Sequence, residues 1–103
     1  MQKIDLEAIV LGIVARQPSH GYAILKEIRE RTGGSIEVRE GKLYPLLHAM
    51  EKQSLISSEW QPESNGPPRK VYRIESKGAR ELEAKAKKWD EFAKHITAIL
   101  NPP

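Results

Sequence analysis

A mainly α, α+β fold on the winged helix-turn-helix plan is what this 103-residue sequence predicts. Two observations point there. Apolar residues recur at helical spacing in three short stretches and one long one, and between the third and the last lie two β-like segments joined by a Gly-Pro-rich turn. Three helices followed by a two-stranded wing is the plan in which the third helix enters a major groove of DNA while the hairpin lies against the backbone. A chain of this length supports one modest core, which all the pieces must share.

The first helix is read from "DLEAIVLGIVARQ", where Leu6, Ile9, Val10, Ile13 and Val14 fall on one stripe, Asp5 is placed to cap the start and Pro18 stops the run. The second restarts at Ser19 in "PSHGYAILKEIRERTGG"; Tyr22, Ile24, Leu25 and Ile28 supply its buried face, and Gly33 and Gly34 close it. "SIEV" is at most a short extended piece. "EGKLYPLLHAMEK" is the third helix. At about 100° per residue, Leu43, Leu46, Leu47 and Met50 share the core-facing arc, and Gly41, Pro45, His48 and Lys52 the opposite one, flanked by Lys42 and Ala49. Pro45 is tolerable if this helix starts near Lys42, because its missing N–H then falls in the first turn.

"SLISSEW" and "KVYRI" are the hairpin strands, with Asn65-Gly66 giving the turn and Pro67-Pro68 stiffening the return. From about Ser76 the last helix runs to Leu100, about 24 residues or roughly 36 Å. Leu82, Ala86, Trp89, Ala93, Ile96 and Leu100 alternate four-residue and three-residue steps along it, and Phe92 and Ile99 widen the seam. The expected division is therefore a DNA-binding domain at 1–75 and a dimerisation helix with a short tail at 76–103.

Composition narrows the function. Seventeen Lys and Arg against fourteen Asp and Glu leave a net charge of only +3, with 30% of residues charged and 39% hydrophobic. Eight of the basic residues lie between Ser64 and Lys88 against three acidic ones, a local surplus of +5 that exceeds the whole chain's net charge. Such a segment either steers a polyanion or is a solvated helix face. No run approaches the roughly 20 apolar residues of a membrane span, and zero cysteines exclude disulfides and cysteine nucleophiles, so a cytoplasmic protein is expected. His20, His48 and His95 share no metal-binding spacing, and no nucleophile has a base and an orienting group, so neither an enzyme nor a metal or cofactor is expected.

Three motifs, "HGYAI" at His20, "EGKLYPLLHAMEKQSLI" at Glu40 and "PRKVYRI" at Pro68, in this order and spacing, resemble the PadR family of bacterial transcriptional regulators, specifically its branch with a short C-terminal region. The resemblance covers nearly the whole chain. It implies a homodimeric DNA-binding repressor, often controlled by a small molecule, with the C-terminal helices forming the dimer. Two positions depart from the family pattern: Lys42 and Glu75 stand where threonine is usual, which shifts the expected cap of the last helix to Ser76.

The candidate DNA-binding residues are Ser19 at the start of the second helix, Lys42, Tyr44, Pro45, His48 and Lys52 on the third, and Arg69 and Lys70 at the wing. Tyr44 is expected half-buried with its hydroxyl toward a phosphate. His48 either meets the groove or sits in solvent, and Arg73 either meets DNA or pairs with Glu59. His20 reads as a capping or packing residue. For dimerisation the candidates are Leu82, Trp89, Phe92, Ala93, Ile96, Ile99 and Leu100, because a helix this long outruns a core built from three short ones. The competing outcome folds that stripe back on the first helix. Trp89 either fills the dimer core or, as the resemblance implies, lines a pocket for a small planar hydrophobic effector. The expected partners are thus double-stranded DNA, a second copy of the chain and such an effector; the alternative use of the fold is a protein-interaction module without specific DNA binding.

Overall fold

The computed structural model describes residues 4–101 and contains four helices and a small antiparallel sheet. Helix α1 spans Leu6–Arg16, strand β1 Ser19–His20, α2 Gly21–Arg31, α3 Glu40–Lys52, β2 Ile56–Glu63, β3 Gly66–Ile74 and α4 Ser76–Leu100. The outer ends of the expected division at 1–75 and 76–103 lie outside the described residues.

Asp5 caps α1 by accepting from the Ala8 amide at 3.1 Å. The helix buries more than one stripe, since Leu11 is as deeply enclosed as Val10. The reason is tertiary: α1 touches α2, β3 and α4. In α2 the buried line is Gly21, Ile24 and Ile28, while Tyr22, expected in the core, is 62% exposed. The helix begins at Gly21 and not at Ser19, and the position one turn before Ile24 and Leu25 that meets the core is the glycine. Gly33 and Gly34, at φ 59° and 84°, terminate the helix. "SIEV" forms no strand, although Ile36 and Val38 pack against the core. The core-facing arc of α3 holds as read: Leu43, Leu47 and Met50 are fully buried and Leu46 partly so.

The sheet has the order β1-β3-β2, one strand more than the hairpin. Ser19 and His20 pair with Tyr72 and Val71, so the residues expected to open α2 instead form the sheet's outer rung. The hairpin is also longer and tighter than read. Glu63 pairs with Gly66, leaving Ser64-Asn65 as the turn, and neither Asn65 nor Gly66 adopts the positive φ that an Asn-Gly hairpin turn requires. Pro62 has no N–H for the ladder, and the register shifts between Gln61 and Glu63. Pro67 and Pro68 lie in β3 itself, beyond the short reach of β1.

Helix α4 is anchored at its start by close approach. Gly78 is buried, and a Cβ there would collide with the Leu55 carbonyl oxygen. Glu75, not Ser76, occupies the N-cap position and makes no side-chain cap; its carboxylate instead accepts from the Ser57 hydroxyl at 2.7 Å. Leu82 packs against the core, and Lys85 bonds Asp5 at 2.9 Å, tying α4 to the beginning of α1. Beyond that tie the helix leaves the core, and the molecule is 58 Å long but only 29 by 21 Å across.

Candidate nucleic-acid interface

The outer face of α3 is the expected one: Lys42, Tyr44, Pro45, His48 and Lys52 are all exposed. Lys42 and Lys52 take part in no ion pair among the described residues. Pro45 sits deeper than the first turn. Arg39 is the N-cap, and its carbonyl accepts from the Lys42 and Leu43 amides, so Pro45 is the sixth helical residue. Its missing N–H leaves only the Gly41 carbonyl without a helical partner. Gly41 is exposed, so water can serve that carbonyl.

Tyr44 is 42% exposed because its ring lies over the backbone of Gly21, close enough that a Cβ on Gly21 would overlap the ring and its hydroxyl. The His-Gly-Tyr stretch thus acquires a physical reason. Gly21 admits the Tyr44 ring, and His20 caps α2 by accepting the Ala23 amide on Nδ1 at 3.2 Å. Ser19 is different from its expected place on the DNA face. It is buried, in β1, with its hydroxyl donating to the Gln17 carbonyl at 3.0 Å, so its side chain has no route to a partner molecule.

At the wing, Arg69 places Nη1 2.8 Å from His20 Nε2 and Nε 3.1 Å from the Glu63 carboxylate. Lys70 lies 3.5 Å from Glu51 on α3 and 5.7 Å from the centre of the Tyr72 ring. These interactions hold the two basic side chains beside α3. Exposed pairs of this kind contribute about 0–1 kcal/mol, so the carboxylates are weakly held partners. Arg73 pairs with Glu59 at 3.3 Å, the structural alternative for that residue. Burial, then the Arg69 charge, pushes the His20 pKa below its ordinary value, with Glu63 opposing. The ring therefore stays neutral to lower pH than a free histidine. The Ser58 hydroxyl, ahead of Lys70, holds the Glu51 carboxyl below its ordinary range while burial opposes.

His20, Tyr22, Tyr44, Trp60, Arg69 and Lys70 border one open cleft of about 340 Å³ between α2, α3 and the wing. Trp60, 67% exposed, and Tyr22 were missed in the sequence. Trp60 is the fifth residue of β2, in the half of the strand that projects beyond the core.

On the other side of the molecule, α1 and α4 enclose an open groove of about 860 Å³ whose wall includes Ile4, Ile9, Leu82, Trp89 and Phe92. Trp89 is 57% exposed and meets Phe92 with ring centres 6.0 Å apart. Past the groove, Ile96, Ile99 and Leu100 are exposed on α4, whereas Ala93 is half-covered. Among the described residues no helix is long and apolar enough to cross a membrane.

A winged helix with an exposed third helix beside a basic hairpin defines the class: a winged helix-turn-helix protein. The chain belongs to the transcriptional regulator PadR-like family, whose sequence profile matches residues 10–84. It is 35% identical over 95 residues to the Uncharacterized protein X of Lysinibacillus sphaericus, covering 92% of this chain and 87% of that one. It is similar in structure to a PadR-like transcriptional regulator from Bacillus cereus strain ATCC 14579, with a TM-score of 0.82, 31% identity and coverage of 95% of this chain and 93% of that one. It also shares its fold with Bacillus subtilis PadR in complex with operator DNA, with a TM-score of 0.73 at 21% identity over 79% of this chain and 46% of that one.

Proposed function

We propose that this chain is a homodimeric, sequence-specific DNA-binding repressor that acts on a palindromic operator. One observation carries the reading: Tyr44 of α3 borders the same cleft as Arg69 and Lys70 of the wing, and Lys70 pairs with Glu51 of α3, so the exposed face of α3 and the basic wing lie side by side and can meet a groove and its flanking phosphates together. Residues 1–75 are the DNA-binding unit. Lys42, Tyr44, Pro45, His48 and Lys52 face the major groove, and Arg69 and Lys70 grip the backbone. Supporting this, the related fold of Bacillus subtilis PadR has been captured with operator DNA.

The segment 76–103 is the dimerisation helix, in which Trp89, Phe92, Ala93, Ile96, Ile99 and Leu100 meet the same stripe of a second copy, with Leu82 at its root. Leaving each large apolar side chain in water forgoes roughly 1.5–3 kcal/mol, which supports burial between subunits. The groove beside Trp89 is within the roughly 300–1,000 Å³ of small-molecule sites, which supports a planar hydrophobic effector there. An effector that binds one spacing of the two α3 helices better than another, by about 1–3 kcal/mol, would shift operator affinity roughly 5-fold to 150-fold.

Selection of binding sites from random duplex DNA tests the reading. The expected result is a two-fold symmetric site with half-sites about 10 bp apart or a multiple of it. Recovery of no enriched sequence would overturn specific binding, and recovery of an asymmetric site would overturn the dimeric docking.

A further inference from the structure

The pairing of His20 with Arg69 contains one donor too many. Arg69 Nη1 lies 2.8 Å from His20 Nε2, while the Ala23 amide donates to His20 Nδ1 at 3.2 Å. A guanidinium offers only donors, so satisfying both neighbours would require the ring to accept on both nitrogens, and a neutral imidazole accepts on one. The Ala23 amide belongs to the first turn of α2, where no helical carbonyl can take it. Arg69 has the Glu63 carboxylate and a half-exposed side chain. In the tautomer that keeps the cap, Nδ1 is the acceptor and the ring proton is on Nε2. Two N–H groups, one of them cationic, then face each other with no acceptor between them.

We infer that His20 and Arg69 form a seat for one backbone phosphate of duplex DNA, whose oxygen accepts from both Nε2 and Nη1. The seat lies in the cleft shared with Tyr44 and Lys70, whose hydroxyl and ammonium border the same space. Glu63 holds the Nε edge of the guanidinium and leaves Nη1 directed at the ring. Burial and the Arg69 charge favour the neutral ring, which is the form that caps α2 and donates at once. The seat assigns His20 a role beyond capping, and it rests on the DNA-binding reading proposed above.

The discriminating variant is His20→Asn, because asparagine is a strong N-cap and preserves the bond to the Ala23 amide while its side chain is too short to reach the phosphate. Wild type and H20N are compared for affinity to the selected operator, for melting temperature, and, with ¹⁵N-labelled histidine, for the Nε2 signal during titration with operator duplex and with inorganic phosphate at constant ionic strength. The expected result is a loss of affinity of roughly ten-fold or more in H20N, the range of a hydrogen bond to a charged group, with an unchanged melting temperature and a saturable shift of wild-type Nε2. Equal affinity of the two proteins overturns the seat. So does weaker binding by H20N with an Nε2 signal that the duplex does not move, because His20 would then not meet the phosphate. If wild type binds no duplex, the DNA-binding reading fails by itself, and absence of a saturable Nε2 shift with inorganic phosphate then overturns the seat separately.

Discussion

The wing side of the molecule and the far half of α4 are opposites in how their side chains are satisfied. Beside α3, Arg69, Lys70 and Arg73 each have a carboxylate within 4 Å, and Tyr44 rests on Gly21. Along α4 past Lys85, the large apolar side chains Trp89, Phe92, Ile96, Ile99 and Leu100 are exposed. The first surface is organised within the chain by its own carboxylates and glycine. The second leaves its large apolar side chains in water within the single chain. The proposed DNA-reading surface and the exposed apolar stripe are thus separate parts of a 58 Å molecule.

The sharpest way to break this contrast is to charge the stripe. Phe92→Asp with Ile96→Asp removes two large burials of roughly 1.5–3 kcal/mol each per subunit. The expected outcome is a monomer in sedimentation equilibrium at micromolar concentration, with helical content kept; a dimer of wild-type strength would show that the stripe packs elsewhere. Next in size is Gly78→Ala, where the new Cβ meets the backbone carbonyl of Leu55, which cannot swing aside. Urea unfolding should show a loss of about 1–3 kcal/mol, the range for overpacking. Gly21→Ala is the milder partner of that test, because the Tyr44 ring can rotate away; stability should fall by less than in G78A, while DNA affinity falls as Tyr44 is displaced.

Smaller still is the response of the wing. Arg69→Gln or Lys70→Gln should weaken binding to all DNA sequences alike and reduce the log-log salt slope by about 0.9 for each phosphate that is no longer neutralised. An altered sequence preference at unchanged slope would place these residues on bases.

The smallest effect belongs to the tie between the two regions. The hydrogen bond from Lys85, ahead of the Ala8 amide and against burial, lowers the Asp5 pKa. A depressed carboxyl contributes stability that is present above its unfolded value and lost as pH falls through the folded value. Asp5→Asn keeps the cap but removes the ion pair, so thermal melting should show a change within about 1 kcal/mol at neutral pH and a flatter acid limb. His20 has the opposite charge sense. Its lowered pKa means that stability is lost as pH falls from about 6.5, where the unfolded chain begins to take up protons, and levels off below the folded value.

Much of this architecture was legible from local pattern. The stripes of α1 and α3, the Asp5 cap, the glycine stop after α2 and the exposed arc of α3 all follow from rules that act within one or two turns. Where local pattern misled, a distant segment decided. Ser19 and His20 became a strand because β3 offered them a free edge, and two residues carry no periodicity of their own. Tyr22 lies outside the core because the buried line of α2 runs through Gly21, Ile24 and Ile28. The hairpin turn moved to Ser64-Asn65 because Glu63 and Gly66 continue the ladder.

The sequence by itself determined the order of the helices and the hairpin, the family resemblance and the polar face of α3, since helical and strand periodicities are set by neighbouring residues. Tertiary structure alone decided which polar side chains meet. His20 lies 49 positions from Arg69, and Asp5 lies 80 from Lys85. Such pairs are fixed by how the sheet and α4 close over α1, a geometry that no local spacing encodes.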